Sequence, residues 1–133
     1  MEFKDNKAIY LQIADHICEN ILLQKWNANE KIPSVRETAV HMEVNPNTAM
    51  RTFSYLQDQG IIFNKRGIGY FVTEEGFNKT LMLKKEIFIK EELPVFFKTL
   101  ELLNMTLEDI KGIYQQEYKN NSALNNRKNH EDK

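Results

Sequence analysis

The chain has little cysteine and no long hydrophobic run, and each shortage excludes a class of protein. Its one cysteine, Cys18, cannot form an intramolecular disulfide, and its helical apolar neighbours predict a buried thiol rather than a redox sensor. No apolar run reaches the length of a membrane span, and the first residues lack the hydrophobic segment of a signal peptide. We therefore expect a cytoplasmic protein that does not enter a membrane.

An excess of positive charge is also absent. The net charge of the 133 residues is -1, and residues 1–75 carry eight Lys or Arg against ten Asp or Glu. Bulk charge gives no support to nucleic-acid binding, so any such function must depend on where a few cations lie.

The sequence has few groups that could carry catalysis. His16, His41 and His130 are scattered and have no Asp, Glu or Cys at metal-ligand spacing, so we predict no metal site and no cofactor. The chain also lacks a nucleophile elbow, a phosphate-binding loop and paired carboxylates, so we do not expect an enzyme.

What is present is a helical pattern with clear start signals. Residues 8–24 place apolar side chains at helical spacing and predict a first helix. Ser34 and Glu37 have the spacing of a capping box, and the helix that follows runs to about Met42, burying Val35, Ala39 and either Val40 or Met42. Asn45 and Pro46 suit the N-cap and first turn of a third helix, which Gly60 ends.

A hairpin follows the third helix. Residues 61–65 and 70–72 are rich in β-forming side chains, and residues 66–69 between them carry two glycines. The expected core residues are large and apolar: Tyr10, Phe53, Leu56, Ile61, Phe63 and Phe71. The order helix, helix, short turn, helix, hairpin predicts a winged helix-turn-helix domain over residues 1–74.

The rest of the chain predicts a helical region over residues 75–119 and a disordered tail over 120–133. Pro94 should kink or break the first helix of this region, and Thr106 should cap the last one. The apolar residues cover more than one helix face, which favours a dimer interface, with a single monomeric core as the alternative. The predicted interface residues are Leu81, Ile87, Phe88, Leu93, Phe96, Phe97 and Leu100. The fold class is thus mainly α with a small β-hairpin, a winged helix-turn-helix followed by a short two-helix dimerisation region.

Three motifs of the N-terminal half resemble a known family. The segment IPSVRETA from Ile32 is similar to the LPSVRELA signature of the GntR superfamily of bacterial regulators. The segment VNPNTAMR from Val44 resembles its recognition helix, and RGIGYFV from Arg66 resembles its wing. Asn29 replaces the usual glycine before the signature, and Met50 and Ile68 stand where the family often has arginine.

The length of the C-terminal region is similar to that of the YtrA-like subfamily. The resemblance implies a homodimer that binds a double-stranded DNA operator with inverted-repeat symmetry, and it suggests repression of a neighbouring transporter operon. Whether a small-molecule effector exists stays open, with a cleft at the dimer interface as one place for it. The alternative function from the residues is a winged-helix module for protein–protein assembly.

The candidate DNA contacts fall into three groups. The start of a recognition helix meets base edges in the major groove, which here means Asn45, Asn47, Thr48 and Arg51. Ser34 and Arg36 open the second helix, where free N–H groups suit a phosphate, and the resemblance implies a DNA role for Arg36. The wing adds two cations and two glycines that allow close backbone approach: Lys65, Arg66, Gly67 and Gly69.

Each group also has a structural alternative. Asn45, Thr48 and Ser34 could serve only as helix caps. Arg51 could be a solvated charge, Arg36 could pair with a nearby carboxylate, and the wing could be a solvated hairpin tip.

Overall fold

The computed structural model describes residue 3 and residues 7–118, and it divides into two compact units between Glu86 and Ile87. The first unit contains three helices, a hairpin and most of a fourth helix, in this order: α1 Ile9–Leu22, α2 Val35–Met42, α3 Pro46–Asp58, β1 Ile62–Lys65, β2 Gly69–Val72 and α4 Gly76–Ile87. The strands pair antiparallel. This confirms the predicted mainly helical class with one hairpin.

The helix starts form as their local signals predict. The Ser34 hydroxyl accepts a hydrogen bond from Glu37 N, and the Glu37 carboxylate accepts one from Ser34 N, both at 3.0 Å. The Asn45 side chain accepts from Asn47 N at 2.8 Å, with Pro46 in the first turn of α3. Between α2 and α3, Glu43 adopts φ 57, a left-handed conformation that ends α2 and redirects the chain.

The core lies between α1, α3 and the hairpin. Phe53, Leu56 and Ile61 are fully buried, as expected. Tyr10, Phe63 and Phe71 are only half-buried, so the expectation that they belong to the core is wrong. In β1 and β2, Ile62 and Val72 pair on the buried face, and side chains alternate along a strand. The next pair, Phe63 and Phe71, therefore stacks on the opposite face, with ring centroids 5.7 Å apart.

The structure also shows which apolar side chains of α2 and α1 are buried. Met42 is buried and Val40 is 74% exposed, so α2 turns Met42 inward. Cys18 is buried as predicted, and burial raises the pKa of its thiol to about 11, so the thiol stays protonated at neutral pH.

The unit boundary differs from the predicted boundary at residue 74, because α4 packs with the winged domain. Thr80 of α4 is fully buried, and its hydroxyl donates to the Gly76 carbonyl at 2.6 Å. Leu83 packs against the core of the first unit. Most of α4 is therefore structurally part of the winged domain.

Two glycines allow a matched test of packing. A Cβ added at Gly76 would lie 2.5 Å from Val72 Cγ1 and 2.9 Å from the Ile61 carbonyl oxygen, whereas a Cβ at Gly112 meets nothing within 4 Å. We expect Gly76→Ala to destabilise the protein by about 1–3 kcal/mol. Gly112→Ala, inside a helix, should instead stabilise by about 0.5–1 kcal/mol. Urea unfolding measures both, and equal signs would contradict the packing described.

An ion triad links α4 to α1. The Asp15 carboxylate accepts hydrogen bonds from the ammonium groups of Lys7 and Lys84, the latter at 2.7 Å. Partial burial raises the pKa of Asp15, but the bonds from Lys7 and Lys84 outweigh this and hold it below its ordinary value.

A lowered pKa in the folded state gives stability that is present at neutral pH and is lost as pH falls below about 4, through the folded pKa. We expect Asp15→Asn to reduce the free energy of unfolding near neutral pH and to flatten its decline in acid. Urea titrations across that range measure this. An unchanged pH profile in the variant would show that the triad contributes nothing.

The second unit is helical. It contains a π-helical segment Phe88–Glu92, then α5 Leu93–Leu102, α6 Leu107–Ile113 and a second π-helical segment Tyr114–Tyr118. The predicted interruption at Pro94 takes the form of the first π-helical segment, because proline lacks the N–H that a regular helix needs. Thr106 caps α6 in a capping box. The predicted tail over 120–133 lies outside the described residues.

Candidate nucleic-acid interface

The first turn of α3 brings together the residues predicted to read bases. Asn45 uses its side-chain oxygen as the cap, so its capping role is established here. Asn47, one position after Pro46, is exposed. Thr48 is half-buried, and its N–H donates to the Asn45 carbonyl at 2.9 Å. The exposed Asn47 amide is thus the group of this turn best placed to meet a base edge.

Arg51 follows one turn later and has a partner that the sequence did not indicate. Its guanidinium carbon lies 3.9 Å from the centroid of the Tyr10 ring. The guanidinium thus makes a cation–π contact with the ring, and its N–H donors lie in the plane of the guanidinium group. Arg51 is therefore held against Tyr10 while its side chain stays exposed to solvent.

The position of Tyr10 is itself held by α3. The buried Thr52 hydroxyl donates to the Tyr10 carbonyl at 2.7 Å, which joins α3 to α1. The Tyr10 ring also meets Tyr55 edge-on, with centroids 6.1 Å apart. The stacking partner of Arg51 is thus supported on two sides by α3.

The start of α2 presents Ser34 and Arg36. Hydrogen bonds from the backbone N–H and the side chain of Ser34 lower the pKa of Glu37. The Glu37 carboxylate is therefore already engaged as an acceptor in the capping box. Arg36 is exposed, and among residues 7–118 no carboxylate forms a salt bridge with it. The structure therefore does not favour the alternative in which Arg36 only pairs within the protein.

The wing presents its cations on a tight turn. Lys65 pairs with Gly69 at the end of the hairpin, and Ile68 N donates to the Lys65 carbonyl at 2.9 Å. Gly67 has φ 80, a backbone conformation that favours glycine, and beyond its chain neighbours no atom lies within 4 Å of where a Cβ would be. The turn is therefore open to close approach by another molecule. The Lys65 ammonium lies 4.9 Å from the Phe71 ring centroid, and Arg66 is exposed at the tip.

Lys31 joins this group and was missed by the sequence analysis. The chain before α2 runs antiparallel to β2, with Ile32 N donating to the Tyr70 carbonyl at 2.9 Å and Lys31 bridged to Phe71. A Cβ at Gly69 would lie 2.8 Å from Lys31 Cε, so the Lys31 side chain covers the base of the wing. The pairing joins residues about forty positions apart, and no local signal reveals it.

The histidines are also less scattered than the sequence suggested. His16 and His41 have ring centroids 6.1 Å apart. Still, within the described part of the chain no group of three His, Cys, Asp or Glu side chains is arranged to hold a metal ion. No described helix is long and apolar enough to span a membrane.

A helix-turn-helix whose second helix opens with exposed polar residues, followed by a cationic two-stranded wing, defines a winged-helix DNA-binding regulator. Residues 9–72 match the family model described as bacterial regulatory proteins, gntR family. The chain belongs to this GntR family of transcriptional regulators, as its motifs predicted. The relatives below are likewise regulators rather than enzymes.

Three relatives illustrate the similarity. The HTH-type transcriptional regulator YhcF of Bacillus subtilis (strain 168) is 37% identical over 113 residues, which cover 84% of this chain and 92% of YhcF. The HTH-type transcriptional repressor YtrA of the same organism is 36% identical over 90 residues, which cover 68% of each chain. A GntR family transcriptional regulator from Listeria monocytogenes has a solved structure with 32% identity and TM-score 0.71, covering 86% of this chain and 98% of that one.

Proposed function

We propose that this regulator is a dimeric repressor that binds an inverted-repeat operator. The observation that carries the proposal is the exposed polar start of α3, where Asn47 and the stacked Arg51 present groups that pair with adenine and guanine. The cations Lys31, Lys65 and Arg66 supply phosphate contacts beside it, and Ser34 and Arg36 extend them.

The dimer is supported by the second unit. Of the predicted interface residues in this unit, Phe88, Phe96 and Phe97 are exposed to between 39% and 48%, and Ile87 and Leu93 are half-buried. Leu81, which belongs to the first unit, is also half-buried. Leu100 is buried within the single chain, so we remove it from the proposed interface. Further exposed apolar residues lie close by in sequence, including Val95, Leu102 and Leu103. An apolar surface of this extent favours a second copy as its partner.

Repression is proposed from similarity to YtrA, whose name describes a repressor. We further propose that the regulated genes are a transporter operon next to its own gene. Two-fold symmetry of the dimer would place the recognition helices one DNA turn, or a multiple of it, apart, which dictates the inverted repeat.

Fluorescence anisotropy of the full chain with the DNA upstream of its own operon tests the proposal. We expect binding at least about 1,000-fold tighter than to random DNA at physiological salt, as for other specific regulators. Replacing Phe96 and Phe97 by serine should abolish the dimer in sedimentation and most of the operator affinity. Equal binding to operator and random DNA would overturn specific recognition.

The wing cations should act through phosphates. We expect Lys31→Ala and Lys65→Ala each to weaken binding to all sequences alike and to reduce the slope of log affinity against log salt by about 1. Lys111→Ala, which removes an exposed lysine of α6, is the control and should leave the slope unchanged. A slope unchanged by Lys31→Ala would show that this residue faces away from the DNA.

A further inference from the structure

A groove of about 480 Å³ lies between α1, α2 and the segment that joins them. Its volume is in the range of small-molecule sites, about 300–1,000 Å³. Ile17 and Met42 contribute buried apolar surface to it, and Trp26 and Pro33 contribute two flat rings. These surfaces suit a flat apolar ring, because aromatic and pyrrolidine rings bury a large area at low entropic cost.

The polar groups of the groove come from two facing helices. His16 of α1 and His41 of α2 both line it, and their ring centroids lie 6.1 Å apart. Asn20, which also lines it, places its amide nitrogen 3.3 Å from His16 Nε2. In the tautomer that accepts this amide N–H at Nε2, the neutral His16 ring carries its proton on Nδ1, where it is a hydrogen-bond donor.

We propose that this groove binds a small planar aromatic carboxylate, with its ring against Trp26 and Pro33 and its carboxylate accepting hydrogen bonds from His16 and His41. Two neighbouring imidazoles repel each other when both are protonated. A carboxylate bound between them offsets this repulsion, because it accepts a charge-assisted hydrogen bond from each ring. A metal ion fits the groove less well. Although Glu37 also lines it, no three His, Cys, Asp or Glu side chains of the described residues are arranged to hold a metal ion.

The surrounding charges decide how the site responds to pH. Burial lowers the pKa of His16, the neighbouring His41 lowers it further, Glu19 raises it and Lys25 lowers it. Glu37 also lines the groove, but its carboxylate already accepts a hydrogen bond from Ser34 N. The pKa of His16 thus lies below its ordinary value in the empty groove. An anion bound beside the ring favours its protonated form, so His16 takes up a proton with the ligand and affinity rises as pH falls.

An occupant of this groove would contact the first turn of α2. Glu37 belongs both to the groove and to the capping box with Ser34, and Arg36 lies between them in sequence. The groove thus shares a helical turn with proposed phosphate contacts, although ligand binding itself does not depend on DNA binding.

The single tryptophan of the chain lines this groove, so its fluorescence reports occupancy without a label. Benzoate is the probe and benzamide its uncharged counterpart, titrated into the full chain near pH 6 and near pH 8. We expect a saturable change with benzoate, about tenfold tighter near pH 6. Benzamide should bind at least about tenfold more weakly than benzoate near pH 6.

Variants of α2 complete the test. His41→Ala changes an exposed residue and should weaken benzoate binding at least about tenfold, while Val40→Ala, on the neighbouring exposed position outside the groove, should leave it unchanged. Circular dichroism confirms that each variant is folded. No saturation with benzoate, equal binding of benzamide, a pH-independent affinity or full binding by His41→Ala would each overturn the proposal. If micromolar Zn²⁺ displaced benzoate, and the His41→Ala variant no longer responded to Zn²⁺, the groove would be a metal site and the proposal would be wrong.

Discussion

Replacing Phe53 by alanine is expected to lower the free energy of unfolding by about 3–5 kcal/mol. Phe53 is completely buried in α3, and its ring meets the Tyr70 ring edge-on with centroids 4.8 Å apart. Truncation removes both the buried area and the contact between α3 and the hairpin, and it leaves a cavity that the surrounding helices cannot close. Urea denaturation followed by circular dichroism gives the value.

Phe63→Ala is the matched control for this prediction. Phe63 is only half-buried and stacks on Phe71 across the hairpin, on the face away from the core. Its truncation loses one ring pair and no core volume, so we expect a cost of about 1 kcal/mol. If both variants lost the same stability, the assignment of the two hairpin faces would be wrong.

Replacing Arg51 by alanine is expected to weaken operator binding by about 1–3 kcal/mol, roughly 5- to 150-fold, and to relax the preference for guanine at one operator position. Arg51 is exposed on α3 and pre-ordered by the Tyr10 ring, so little entropy is lost when its edge meets a base. Anisotropy titrations with operator and single-substituted operators measure both the affinity and the lost preference.

Arg51→Lys separates charge from geometry. Lysine keeps the positive charge but lacks the planar edge that binds guanine through two hydrogen bonds. We expect it to restore binding to random DNA and to leave the preference for guanine impaired. Full discrimination in Arg51→Ala would mean that Arg51 serves only as a partner of Tyr10.

Local signals were sufficient for much of the winged domain. The capping box of Ser34 and Glu37, the cap at Asn45 and the end of α3 at Gly60 involve residues at most a few positions apart, and each forms as predicted. Asn29, which replaces the usual glycine, adopts φ 66. Asparagine is one of the few residues besides glycine that adopt this conformation readily, and here its side-chain amide donates to the Glu74 carboxylate at 2.6 Å. Together with the family resemblance, these signals defined the fold class and the candidate DNA contacts.

Contacts between segments that are distant in sequence could not be predicted from these local signals. The sequence placed Phe63 and Phe71 in the core because they are large and apolar, but strand register decides the face, and register depends on pairing. The same pairing brings Lys31 to the wing. Hydrophobic periodicity likewise shows that α4 has an apolar side but does not say which unit it covers.

The sequence by itself determined that three helices, the second and third of them capped by side chains, and a cationic hairpin form in this order, because propensity, capping and turn chemistry act over a few residues. Only the tertiary structure decided that Arg51 stacks on Tyr10, that Lys31 covers Gly69 and that His16 meets His41. Each of these contacts joins two segments that are far apart in sequence. Their separation in space depends on how α1, α2, α3 and the hairpin pack around Phe53. Packing is a property of the whole core, so these groups of the DNA interface and the groove appear only once that core has formed.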